Sequence, residues 1–117
     1  RVLPMPASPG MTTARPPWSL VIVPLLVAAA CLPMALEMID PNGFYGVRIA
    51  ATQASEAAWY RINQLAGIVG VIGGMVGFAA NLAIARSDIA EPRRTFICLA
   101  VLVGVALAIV VTSLAVA

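Results

Sequence analysis

The stretch INQLAGIVGVIGGMVGFAANLAIA, residues 62–85, runs between Arg61 and Arg86 without a single charge. At roughly 1.5 Å per residue, a helix of this length matches a hydrocarbon core of about 30 Å. The stretch also carries a register. Asn63, Gly67, Gly70, Gly74, Gly77 and Asn81 follow one another at spacings of four, three, four, three and four. That puts all six on one face, at the 3.5-residue period of a left-handed helix pair. Gly70 with Gly74, and Gly73 with Gly77, have the GxxxG spacing that lets two backbones approach in lipid, where packing and hydrogen bonds replace the hydrophobic drive. The stretch therefore reads as a membrane-spanning helix that offers a glycine seam to another helix.

Two further uncharged gaps lie outside it, one between Arg15 and Glu37 and one after Arg94. Three transmembrane helices are expected, over about 18–38, 62–85 and 95–117. The implied fold is all-α and integral to the membrane: a single three-helix domain over 18–117, with a structured polar loop at 39–61 and a Pro-rich tail at 1–17. Pro4, Pro6, Pro9, Pro16 and Pro17 should keep that tail extended. Composition agrees. Of 117 residues 62% are hydrophobic and 10% charged, with a mean hydropathy of +0.99, against roughly 45–50% and about 25% in a soluble domain. The first span contains Pro24 and Pro33, which a membrane helix absorbs when neighbours satisfy the freed carbonyls, and a kink is expected near one of them. It also contains Ala28, Ala29, Ala30 and Cys31, a small-residue run like that of a cleaved leader, but it is read as a retained span. In the third span Ala100, Gly104 and Ala108 repeat every fourth position, so Gly104 is expected to meet the glycine seam.

Several functions are disfavoured at this stage. The chain has no His, and Cys31 with Cys98 makes no ligand set, so no metal, no cofactor and no catalytic residues are expected and the thiols read as packing residues. A net charge of +2 without a basic run disfavours nucleic acid. No span interior holds an ionisable residue of the kind that marks ion and proton pathways. A non-enzymatic protein whose first partner is the lipid bilayer is what remains. Arg1, Arg15, Arg86, Arg93 and Arg94 share one side of the expected topology, against Arg48 and Arg61 on the other. Five against two favours a cytoplasmic N-terminus.

The first loop holds most of the polar chemistry. Asp40, Pro41, Asn42 and Gly43 form a turn signal. Thr52 or Ser55 can cap a helix whose first turn carries Glu56. From Ser55 that helix is expected to run unbroken into the second span, with Glu56, Trp59, Asn63 and Gly67 along one side. Arg48 is expected to pair with Glu37, Asp40 or Glu56, or with the side-chain oxygen of Asn63, because its planar fork makes several hydrogen bonds at once.

Taken together, Asn42, Gly46, Arg48, Thr52, Trp59, Asn63 and Gly67, within NGFYGVR (42–48) and WYRINQLAG (59–67), resemble the signature of the SdpI family of bacterial membrane proteins. That family includes an immunity protein that protects a sporulating bacterium from its own peptide toxin and draws a transcriptional repressor to the membrane. The resemblance implies a small multipass protein of the bacterial inner membrane that recognises a peptide toxin or another partner through this loop. The best-known member has additional spans, and here the inward loop between Arg86 and Arg94 is short for recruiting a repressor. The alternative is an accessory or assembly subunit of a larger bacterial membrane complex, with a membrane protein or a second copy as the neighbour.

Overall fold

A computed structural model describes residues 15–117, so the expectation for the tail lies outside the described residues except at Arg15, Pro16 and Pro17. The described chain is helical: α1 spans Trp18–Ala35, α2 Ala50–Gln53, α3 Glu56–Ala85 and α4 Arg93–Ala115. Helices α1, α3 and α4 are each long and apolar enough to cross a membrane. Being antiparallel in sequence, they leave the 36–55 loop and the end of α4 on one side, and the 86–92 loop on the other.

The boundaries differ from the sequence reading at the end of α1 and at both ends of α4. α1 stops at Ala35 rather than Met38, because Glu37 adopts a left-handed conformation with φ 57°. Its N–H donates to the Met34 carbonyl at 3.1 Å, and the Met38 N–H donates to the Pro33 carbonyl at 2.9 Å. This is the Schellman arrangement that closes a helix C-terminus, with glutamate where glycine is usual. α3 begins at Glu56 and runs unbroken to Ala85: the Ser55 hydroxyl accepts the Ala58 N–H at 3.0 Å, and Glu56 sits in the first turn. α4 runs from Arg93 to Ala115 rather than from Thr95 to Ala117.

Helix α3 lies between the other two. Its buried positions include Asn63, Gly67, Gly70, Gly74, Gly77 and Asn81, and the facing row on α1 is Val21, Pro24, Ala28, Cys31 and Met34. The approach is close. A Cβ at Gly67 would stand 2.5 Å from the Ala35 nitrogen, and one at Gly74 would stand 2.5 Å from the Pro24 carbonyl oxygen. Thus the seam serves α1 along most of its length. α4 joins through a different row, with Cys98, Val105 and Ser113 buried. Gly104 is a correction: it is exposed, with nothing within 4 Å of where its Cβ would be, and Ala100 and Ala108 are exposed with it. The bulk of Val105, which comes within 3.1 Å of a Gly77 Cβ, fills the α3 contact in its place.

Pro24 explains a second polar contact. Proline has no N–H to give to the carbonyl four residues earlier, which is that of Leu20. Asn81 supplies the missing donor from α3: its Nδ2 lies 2.9 Å from the Leu20 oxygen and 3.2 Å from the Cys98 oxygen of α4. A single buried amide therefore ties all three spans together, and α1 continues through Pro24 as one helix.

Candidate functional site

The loop between α1 and α3 is built by side chains that bind its own backbone. Asn42 makes the first turn: its Oδ1 accepts the N–H groups of Phe44 and Tyr45, both at 2.7 Å, while its Nδ2 donates to the Asp40 carbonyl at 2.7 Å. Gly46 makes the second, at φ 99°, in the region that favours glycine. Space restricts this position too, because a Cβ there would stand 2.7 Å from Asn63 Oδ1 and 3.3 Å from Trp59 Cζ2. The chain then enters the short α2, where the buried Thr52 hydroxyl accepts the Ile49 N–H at 2.9 Å and donates to the Ile49 carbonyl at 2.8 Å.

Two residues of α3 hold this loop from below. Asn63 Oδ1 accepts the Val47 N–H at 2.5 Å, and its Nδ2 donates to the Trp59 carbonyl at 2.9 Å and the Val47 carbonyl at 3.4 Å. Trp59, one turn higher and 1% exposed, donates its indole N–H to the Ile39 carbonyl at 2.9 Å. Both are fixed by helical spacing on the face that continues to Gly67, where the backbone of α1 comes close. Burial of an indole with its N–H satisfied is the usual condition for Trp inside a structure. Trp59 is accordingly a pillar under the loop, with almost no surface to present to a partner.

Arg48 is placed differently from the expectation. It meets none of Glu37, Asp40, Glu56 or Asn63; its Nη1 donates to the Gly43 carbonyl at 2.7 Å, and the residue is exposed. The Asn42 turn directs that carbonyl back across the loop, and the oxygen of Asn63 is already taken by Val47. Among the described residues the only ion pair is Arg94 with Glu91, at the opposite end of the bundle.

Three tethers escaped the sequence reading. Tyr60 donates to the Asp40 carboxylate at 2.6 Å, Tyr45 donates to the Ala30 carbonyl of α1, and Arg61 donates to the Val116 carbonyl just past α4. Tyrosines beside a membrane boundary were the available signal, since an apolar ring with a polar tip suits that position. The arrangement is a cap whose turns are held by its own side chains and by Asn63, with Glu37, Asp40 and Glu56 exposed. No group of three or more His, Cys, Asp or Glu able to hold a metal occurs among the described residues.

At the other end, Glu91 precedes α4 and closes its first turn. Its carboxylate accepts from the Thr95 hydroxyl, from the Thr95 N–H at 3.3 Å and from Arg94 Nε at 2.8 Å. The Thr95 hydroxyl first, and then Arg94, hold the Glu91 carboxyl below the ordinary glutamate value.

The family model of the SdpI/YfhL proteins matches residues 38–113. The chain belongs to the SdpI/YfhL family. The match starts at the loop and takes in α2, α3 and most of α4, so the cap and the α3 seam that supports it lie inside the family region. An SdpI/YfhL chain with three spanning helices is a multipass membrane protein, and its surroundings are a lipid bilayer. No curated protein and no solved structure matches the chain.

Proposed function

We propose that this chain is a non-catalytic SdpI-type immunity or signalling protein of the bacterial cytoplasmic membrane, which recognises a peptide toxin or a partner protein at the cap formed by residues 39–61. The observation that carries the reading is the family match across a loop whose signature residues Asn42, Gly46, Thr52, Trp59 and Asn63 all serve to hold it in one shape. A preorganised loop loses little entropy on binding, which suits recognition. The test is to express the chain in a susceptible bacterium and challenge it with a panel of secreted membrane-active peptides. Wild type should raise survival against at least one of them, and Asn63→Leu should lose that protection while still reaching the membrane.

A second reading, an accessory subunit, draws on the exposed row Ala100, Gly104 and Ala108, which none of the described helices covers. Failure to protect against any peptide, together with a membrane protein co-purifying in fixed ratio, would favour it.

A further inference from the structure

We propose that the tip of the loop is a bilayer anchor, with Phe44 inserting its ring into the headgroup and acyl boundary of the leaflet on the loop side. The proposal is independent of any partner and needs only that the helices cross a membrane. Its basis is depth. α1 has 18 residues, so it is about 27 Å long, slightly short of a hydrocarbon core of about 30 Å. Its last turn at Ala35 therefore marks the hydrocarbon edge and does not project beyond it.

The Tyr45 hydroxyl donates to the carbonyl of Ala30, which lies five residues, or about 7.5 Å, below that edge. A tyrosine side chain is about as long as that drop. The backbone at Tyr45 is therefore held level with the last turn of α1, although it lies ten residues beyond Ala35 in sequence. Ala30 is itself exposed, so Tyr45 runs down the lipid-facing flank of α1 and not between helices.

Phe44 adjoins Tyr45, its Cα about 3.8 Å away, and is 99% exposed, so no other described residue covers it. Its position is fixed, because Asn42 Oδ1 holds the N–H groups of both residues. A bare benzyl group at the hydrocarbon edge has an apolar medium beside it, the lipid. Aromatic rings are enriched at that level, where an apolar face contributes to membrane affinity.

The experiment places Phe44→Trp in a Trp18→Phe background, with the chain in vesicles of phosphatidylcholine and phosphatidylglycerol, and compares it with the Trp18→Phe parent. The emission added by the new indole should be quenched by acyl-chain-brominated lipid and shielded several-fold from aqueous iodide. Quenching by iodide without quenching by brominated lipid would mean that the tip faces water and would overturn the proposal. A lowered unfolding temperature for Phe44→Trp would overturn it as well, since a ring lodged in lipid has no protein contact to lose.

Discussion

Asn63 and Arg48 show how differently two residues of one motif are used. Asn63 is 3% exposed and is the partner of the Val47 N–H. Asn63→Leu removes that acceptor and buries an unmatched donor, which costs about 1 to 3 kcal/mol. A matching fall in the thermal midpoint in detergent is expected, with a red shift of Trp59 emission as the loop loosens. Arg48 is exposed and makes one bond to a carbonyl, which a lysine ammonium can also make. Arg48→Lys is expected to lie within about 0.5 kcal/mol of wild type, as exposed substitutions do. Equal destabilisation by the two substitutions would contradict this assignment. The motif residues and their spacing were readable in the sequence, because helix periodicity fixes Trp59, Asn63 and Gly67 on one side. The partner of Arg48 was not. Three carboxylates lie near it in sequence, and only the path of the backbone through the Asn42 and Gly46 turns brings the Gly43 carbonyl to the guanidinium instead.

Among the elements, α3 and α4 both carry rows of small residues, and of the two only the α3 row faces another described helix. The α3 row was legible because six polar or small residues keep a single register over five intervals. The α4 row has the same local spacing, but spacing shows only that residues share a face. It does not say which face turns inward, and bulky Val105 beside Gly104 occupies the contact. The two rows should respond with opposite sign to one change. Gly74→Ala puts a Cβ 2.5 Å from the Pro24 oxygen and 2.8 Å from Ala28 Cβ, and overpacking of this kind costs about 1 to 3 kcal/mol. Gly104→Ala meets nothing within 4 Å and gains helix propensity, up to about 1 kcal/mol. Unfolding of the isolated protein by SDS in mixed micelles should order the three proteins as Gly104→Ala, wild type, Gly74→Ala, from most to least stable. The start of α4 adds a pH dependence. Because the native fold holds Glu91 below its ordinary value, it favours the charged carboxylate. The stability this adds is complete above the unfolded-state value of about 4.3 and is lost as pH falls through the lower native value. Glu91→Gln should therefore melt below wild type near neutral pH, and the gap should narrow on acidification below about pH 4. A gap independent of pH would mean that the charge of Glu91 is not what closes the first turn.

For the molecule as a whole, three crossings put the cap and the end of α4 on one side, and the contact from Arg61 to the Val116 carbonyl ties the two directly. The number of spans was legible from the gaps between charges alone, since each gap is as long as a bilayer is thick. The helix ends were less so: the first depends on a glutamate taking the role of glycine, which no composition rule indicates. Which side faces the cytoplasm rests on arginine. Among the described residues Arg15, Arg86, Arg93 and Arg94 lie at the end opposite the cap, against Arg48 and Arg61 at the cap. Of these, Arg94 is partly engaged with Glu91 and the Ala85 carbonyl, while Arg86 and Arg93 stand exposed at the membrane edge, where retention on the cytoplasmic side is expected. Single-cysteine probes decide the matter, and the structure indicates where to put them. Ser55 and Ser87 are poor sites because their hydroxyls bind backbone groups, whereas Gln53 and Asp88 are exposed and make no side-chain bond among the described residues. The native Cys31 and Cys98 are buried, so a membrane-impermeant maleimide should leave both unmodified. In intact cells Gln53→Cys should label and Asp88→Cys should label only after the membrane is opened. The reverse pattern would place the cap in the cytoplasm, where a secreted peptide could not meet it from outside, and the immunity reading would fall with the topology.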